Sequence, residues 1–153
     1  MRLMVLAALL AMAGAPQQVS VEGLVRVRSD ATVDATAARL ERAIEESEKL
    51  TLFTVVNHTD NAAKVGMSMR PTRLFVFGNP ELGTPLMECG QSVAIDLPQK
   101  MLIWEDESGQ VWVGYNDPEY LAERHGMSDC DETISRIKKA LTGLAGKIAK
   151  GSS

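Results

Sequence analysis

The sequence has little of what several functional classes require. Its 153 residues carry 16 lysines and arginines against 20 acidic residues, and the net charge of −4 lacks the basic excess of nucleic-acid-binding proteins. Only two histidines and two cysteines are present, with no Cys-x-x-Cys motif and no metal-type ligand spacing. The N-terminal apolar run, residues 3–10, is shorter than the roughly 20 residues that cross a bilayer. We therefore expect neither nucleic-acid binding nor stable membrane insertion.

The first residues have the pattern of a secretory signal. Arg2 precedes the apolar run, and residues 11–13 form an Ala-x-Ala cleavage site. We expect a signal peptide over residues 1–15, a single domain over residues 20–149, and a periplasmic or secreted location. The alternative is an N-terminal helix that is retained and packs on the domain.

The two cysteines leave two expectations open. Cys89 and Cys130 fall on different predicted helices, and in an oxidising compartment they can form a disulfide. One buried and one exposed thiol is an equally good expectation, because sequence does not say whether the two Cα atoms approach to bonding distance.

Hydrophobic periodicity predicts an α+β fold. The order of elements favours a two-layer domain, with helices packed on one face of a small, mostly antiparallel sheet. The 50–58 segment is rich in β-branched residues and is predicted to be a buried strand. The predicted strands are 21–29, 50–58, 72–77, 101–105 and 111–115, and the predicted helices are 32–49, 59–66, one from 84, 116–126, and one from about 129.

The 77–87 segment, FGNPELGTPLM, resembles a phosphate-binding loop only in its spacing. Gly78 and Gly83 are five positions apart, but Thr84 stands where such a loop needs lysine, and Pro85 stands where it needs a hydroxyl. Proline also removes an amide donor that a phosphate would use. The segment instead predicts a strand–turn–helix corner, with Gly83 at a tight bend and Pro85 at the first position of a helix.

The hairpin at residues 101–115 invites two functional interpretations. Its acidic residues, 105–107, predict a charged turn rather than acid/base catalysis, because they lie at a solvated tip. Trp104 and Trp112 predict a cross-strand aromatic pair, with core packing favoured over a ligand wall.

Three functional hypotheses remain from individual residues. His58 ends a predicted strand, where binding residues often gather. With Met67, Met87 and Cys89 it offers a soft donor set suited to copper. His58 can also act as base to a Cys89 nucleophile in an enzyme. His125 ends a short helix, where a structural role is expected because a cation is favourable there.

Three segments together resemble the domain of unknown function 302 family: VVNHTDNAAKVGM, RPTRLFVFGNPELGTPLM and AIDLPQKMLIWEDESGQVWVGYNDPEYLAERHG. The resemblance covers about residues 21–127. It implies a compact α+β domain, often a homodimer, with no established reaction and no catalytic residues to carry over. The departure MECGQS indicates that Cys89 is peculiar to this chain. The matching motif positions are His58, Gly66, Pro71, Gly78, Asn79, Pro80, Gly83, Thr84, Asp96, Leu97, Pro98, Tyr115 and Asn116.

The hypothesis we favour is a non-catalytic module that binds a small ligand or a protein partner, with no cofactor. Its site is expected where His58, Asn79, Thr84 and Tyr115 converge at strand ends.

Overall fold

The computed structural model describes residues 21–151, so the predicted signal peptide lies outside it. The strands in this range are β1 (Leu24–Arg28), β2 (Thr51–Asn57), β3 (Thr72–Gly78), β4 (Gln99–Glu105) and β5 (Val111–Asn116). The α-helices are α1 (Val33–Glu45), α2 (His58–Lys64), α3 (Pro80–Cys89), α4 (Pro118–Arg124) and α5 (Asp131–Lys150), and a 3-10 helix, Gln91–Ile95, follows α3.

The strands form one antiparallel sheet in the order β1-β5-β4-β3-β2. Alternate residues of the central strands, among them Phe75, Ile103 and Val113, are completely buried beneath the long helices. Leu40 of α1 and Leu141 of α5 belong to the same buried cluster. The predicted two-layer α+β fold is therefore confirmed.

Side chains at the helix starts explain where the helices begin. The hydroxyl of Thr32 accepts from the amide of Ala35 at the start of α1, and the carboxylate of Asp117 accepts from Glu119 at the start of α4. Such caps satisfy amides that have no partner within the helix. A helix is predicted from about residue 129, and the apolar spacing of α5 buries Ile134, Ile137, Leu141 and Ile148 along one face of it.

The other face of the sheet carries the tryptophan pair. Trp104 lies directly opposite Trp112, which confirms the predicted cross-strand pair, but neither belongs to the buried core cluster. The guanidinium groups of Arg26 and Arg28 lie 5.3 and 5.9 Å from the Trp112 ring centroid. A Cβ on residue 114 would be 2.8 Å from the Trp104 ring, so the ring can occupy this position only because residue 114 is glycine.

Asp106 organises the hairpin between β4 and β5. Its carboxylate accepts hydrogen bonds from the Ser108 hydroxyl at 2.6 Å and the Trp112 indole at 2.7 Å, and also from the amides of Ser108 and Gln110. The bonds from Ser108 and Trp112 hold the pKa of Asp106 well below its usual range. The charged turn is structural, as the sequence predicts.

Two predictions about local structure are wrong. The 50–58 segment is not a buried strand, because among the described strands β2 lies at the edge of the sheet and pairs with β3 alone; Phe53 is 56% exposed. The helix predicted from Thr84 starts at Pro80, since the Asn79 carboxamide accepts from the amide of Glu81 and caps it there. Gly83 is consequently helical rather than at a bend, and Pro85 lies inside the helix.

Within residues 21–151, no helix combines the length and the apolar character needed to span a membrane.

Candidate ligand-binding site

A cavity of about 350 Å³ lies at one end of the sheet, between α3 and α5. The ends of β2 and β3 form one side, and the turn that leads into β4 forms another. None of the described residues that line it is charged. The lining residues are Leu50, Phe53, Phe77, Gly78, Asn79, Pro80, Leu82, Gly83, Thr84, Met87, Ala94, Leu97, Pro98, Gln99, Ile137, Ala140, Leu141 and Leu144.

The 77–87 segment builds one wall. Phe77 is buried at the end of β3, and Asn79 turns the chain away from the sheet by capping α3. Residues three and four apart share a helix face, which places Gly83 and Met87 toward the same space, and Leu82 also lines the cavity. On the opposite side, Ile137, Leu141 and Leu144 follow the same rule along α5. An apolar cavity between the two helices results.

Three polar side chains reach the cavity. The oxygen of the Asn79 carboxamide already accepts a hydrogen bond from the Glu81 amide at 2.9 Å. The hydroxyl of Thr84 and the carboxamide of Gln99 have no hydrogen-bond partner among the described residues. A ligand here is therefore held mainly by apolar contact, with a few groups available to orient it.

The 3-10 helix behind the cavity is fastened to α4 by His125. The Nε2 atom of His125 lies 2.6 Å from an Asp96 carboxylate oxygen, and its Nδ1 atom lies 2.9 Å from the Ser92 hydroxyl. Arg124 donates to the second Asp96 oxygen at 3.2 Å. The side chains of His125 and Asp96 are only 8% and 13% exposed. Since Ala94 and Leu97 line the cavity, this cluster positions its wall.

A disulfide joins the same region to α5. Cys89, the last residue of α3, is bonded to Cys130, the residue before α5, with their Cα atoms 6.3 Å apart. Of the two possibilities left open by the sequence, the structure contains the bridge. Cys89 is exposed, whereas Cys130 is 4% exposed.

The structure brings together two of the four residues expected at the site. Asn79 and Thr84 both line the cavity. Tyr115 does not: it is buried in the core, where its hydroxyl lies 3.1 Å from that of Thr142 on α5. His58 begins α2 at the far end of β2, five residue steps from Phe53, the residue of that strand that lines the cavity, or about 17 Å.

The donor set considered for copper is not assembled either. His58 lies beyond one end of β2, whereas Met87 lines the cavity at the other, and Met67 is mostly exposed. The sulfur of Cys89 is bonded to Cys130, so it is neither a thiolate ligand nor a nucleophile in this state. Among residues 21–151, no three His, Cys, Asp or Glu side chains are grouped as metal ligands.

Sequence reasoning missed the cluster around His125. Asp96 and His125 stand in the DLP and RHG motifs, and a carboxylate between two apolar residues, Ile95 and Leu97, is a signal that it needs a buried partner. Which partner it takes depends on tertiary contact. The α5 residues that line the cavity carry no signal in the sequence beyond their apolar character.

The comparisons with known proteins identify a family and a fold. The family profile described as "Domain of unknown function DUF302" matches residues 25–144. A solved structure, that of an uncharacterised conserved DUF302 protein from Bacillus stearothermophilus, has a TM-score of 0.74 at 18% identity and covers 84% of this chain and 99% of that one. At that identity the likeness concerns the fold alone.

Two curated relatives are named as fluoride-specific ion channels. "Fluoride-specific ion channel FluC 1" of Brucella suis biovar 1 is 39% identical over 129 residues, which are 84% of this chain and 50% of that protein. "Fluoride-specific ion channel FluC 2" of Brucella melitensis biotype 1 is also 39% identical over 129 residues and is covered over 47%. The chain therefore spans about half the length of the curated relatives it matches.

Proposed function

The chain belongs to the family of domains of unknown function DUF302, and from this premise we propose that it is a non-catalytic module that binds a small, mainly apolar ligand. The observation that carries the proposal is the cavity between α3 and α5, whose lining contains no charged residue. Its volume of about 350 Å³ is at the lower end of the range of about 300–1,000 Å³ for small-molecule sites.

The cavity also suggests the shape of the ligand. Leu82, Leu141 and Phe77 offer apolar contact, and Thr84 and Gln99 offer hydrogen bonds. A flat or chain-like apolar body with one neutral hydrogen-bonding group meets both conditions. A charged ligand is disfavoured, because an ion loses its hydration here and finds no opposite charge among the lining residues.

The uncharged fluorophore N-phenyl-1-naphthylamine tests the proposal. Its two aromatic ring systems can bury about 300–500 Å², worth about 25 cal/mol per Å² before the costs of association are subtracted. We expect one molecule per chain, a rise in fluorescence and micromolar affinity, about −8 kcal/mol.

A matched pair of variants locates the probe. Ala140 lines the cavity, is exposed and lies on α5, so Ala140→Phe should obstruct the opening and weaken binding at least about tenfold. Ala38 is an exposed alanine of α1 that does not line the cavity, and Ala38→Phe should leave the affinity unchanged. Equal affinity of the parent and Ala140→Phe, or saturation at several probes per chain, would contradict the proposal.

We also propose that the chain forms a homodimer, as the resemblance to the family implies, and that the free edge of β2 is the interface. The strand is open to solvent and exposes Leu52, Phe53 and Val55, and it carries no charge or proline that would discourage pairing with another edge. Phe53→Lys should shift the mass measured by analytical ultracentrifugation from dimer to monomer. Val65→Lys, at an exposed apolar residue outside the strand, is the control. A parent protein that sediments as a monomer at high micromolar concentration contradicts this part.

A periplasmic or secreted location is the third part of the proposal. The Cys89–Cys130 disulfide supports it, because such bonds persist in oxidising compartments and are rare in the cytosol. Cell fractionation followed by thiol alkylation of the full chain provides the test. Protein found in the cytosol with both thiols alkylated would refute it.

A further inference from the structure

The Cys89–Cys130 disulfide connects the two helices that face each other across the cavity. Cys89 ends α3, which contributes Leu82 and Met87 to the lining. Cys130 precedes α5, which contributes Leu141 and Leu144 on the other side. The bond therefore holds the two walls together at one end, although it is not itself part of the lining.

Besides the disulfide, α3 is held by limited packing and one exposed ion pair. Of its 10 residues only Leu86 is buried, Leu82 and Met87 are partly buried against the core, and Glu81 pairs with Lys49. Pro85 lies inside the helix and removes one main-chain hydrogen bond, and Gly83 lowers its intrinsic stability. A segment with so little buried surface opens at a lower free energy than the core of the domain. The position of α3 thus depends strongly on its covalent link.

The neighbouring 3-10 helix does not share this dependence. Asp96 and Ser92 bond to His125, and neither contact involves the disulfide. We therefore expect breaking the disulfide to free the C-terminal end of α3 while the next segment stays attached to α4.

The two sulfur atoms differ in access. Cys89 is exposed and Cys130 is buried, so a thiol from solution reaches the Cys89 sulfur. The attacking thiolate bonds to Cys89 Sγ, the disulfide breaks, and Cys130 Sγ leaves with the electron pair and takes up a proton. A second thiol then attacks the mixed disulfide, releasing the Cys89 thiol and the oxidised reductant. Two electrons pass from the thiols to the protein.

We propose that this disulfide is a redox switch of the cavity: reduction by a low-molecular-weight thiol releases α3 from α5 and weakens ligand binding. The inference rests on the ligand-binding function proposed above and adds its regulation. Apparent affinity falls in proportion to the fraction of molecules whose wall is in place. A wall that is ordered in about one molecule in ten lowers the affinity about tenfold.

The test titrates N-phenyl-1-naphthylamine into the full chain, oxidised and after anaerobic reduction with dithiothreitol. We expect the reduced protein to bind at least about tenfold more weakly. Cys89→Ala/Cys130→Ala should match the reduced parent and should not respond to dithiothreitol. That variant separates loss of the bond from any other effect of the reductant.

Hydrogen exchange of the two redox states, measured by mass spectrometry, shows whether the change is local. The amides of α3 should lose nearly all protection after reduction, whereas those of β4 and β5 should stay protected and lose only what the lower global stability of the reduced protein takes away. Loss of protection in the sheet as complete as that in α3 would overturn the switch, since reduction would then unfold the whole domain. Equal affinity in both states would also overturn it. Absence of binding to the oxidised protein would refute the binding function itself, and the exchange data would still report whether reduction releases α3.

Discussion

Replacing Gly143 by alanine is expected to stabilise the protein. Gly143 lies inside α5, is exposed, and has no positive φ angle. A Cβ built on it meets no atom within 4 Å outside its own helix neighbourhood. Glycine inside a helix costs about 0.5–1 kcal/mol relative to alanine, chiefly because it loses more backbone entropy on folding. The free energy of unfolding should therefore rise by about 1 kcal/mol.

Gly146 is a second position at which the predicted gain in the free energy of unfolding can be measured. It lies one turn further along α5, and its added Cβ also meets nothing within 4 Å. If the two gains add, Gly143→Ala/Gly146→Ala should gain about 2 kcal/mol. For a domain of this size, 1 kcal/mol moves Tm by about 4 °C, so the double variant should melt about 8 °C higher.

Gly114 provides the matched control for the same added methyl group. There a Cβ would lie 2.8 Å from the Trp104 ring, so Gly114→Ala should cost about 1–3 kcal/mol through overpacking. Urea unfolding followed by tryptophan fluorescence, together with calorimetry, measures all of these variants. The reasoning is refuted if Gly143→Ala has the same stability as the parent or a lower one. That result would mean that something absent from a single chain, such as a second copy, covers this side of α5.

Three further predictions concern stability. Cys89→Ser/Cys130→Ser should lose about 4 kcal/mol in urea unfolding, the loop-entropy estimate for a separation of 41 residues, and a loss below about 1 kcal/mol would contradict it. Because the pKa of Asp106 is lowered in the folded protein, its stabilisation is complete above about pH 5 and is lost as pH falls through the folded pKa. The stability gap between the parent and Asp106→Asn should therefore shrink in acid unfolding series, and a gap that widens would disprove this. Tyr115→Phe removes the bond to Thr142 and should cost about 1 kcal/mol by thermal unfolding; no change would contradict it.

The elements that sequence predicted well are those with a strong local pattern. The helices predicted from residue 32, residue 116 and about residue 129, and the hairpin turn around Asp106, each depend on residues close together in the chain. The fold class followed from the order of such elements. The edge position of β2 was not predicted, because a β-branched, apolar strand has the same sequence pattern whether one neighbouring strand or two pair with it.

The candidate site was only partly predictable for a related reason. Asn79 and Thr84 lie together at the cavity because both belong to a single turn-and-helix segment that forms one wall. His58 and Tyr115 were grouped with them because strand ends attract functional residues, but the register of the sheet decides which ends meet. The pairing of Asp96 with His125 joins segments far apart in the chain, and no local pattern encodes it.

The pairing of β1 with β5 has a consequence for how the chain reaches its folded state. Leu24 pairs with Asn116, so the first strand cannot be completed until most of the chain is available. By contrast, β3, β4 and β5 are consecutive neighbours and can form while the N-terminal strand still waits. Among the five strands, β1 is made first and finds its partner last, which leaves its apolar residues Val25 and Val27 without a neighbouring strand until β5 is available. The strand that waits longest for its partner is thus the first strand made.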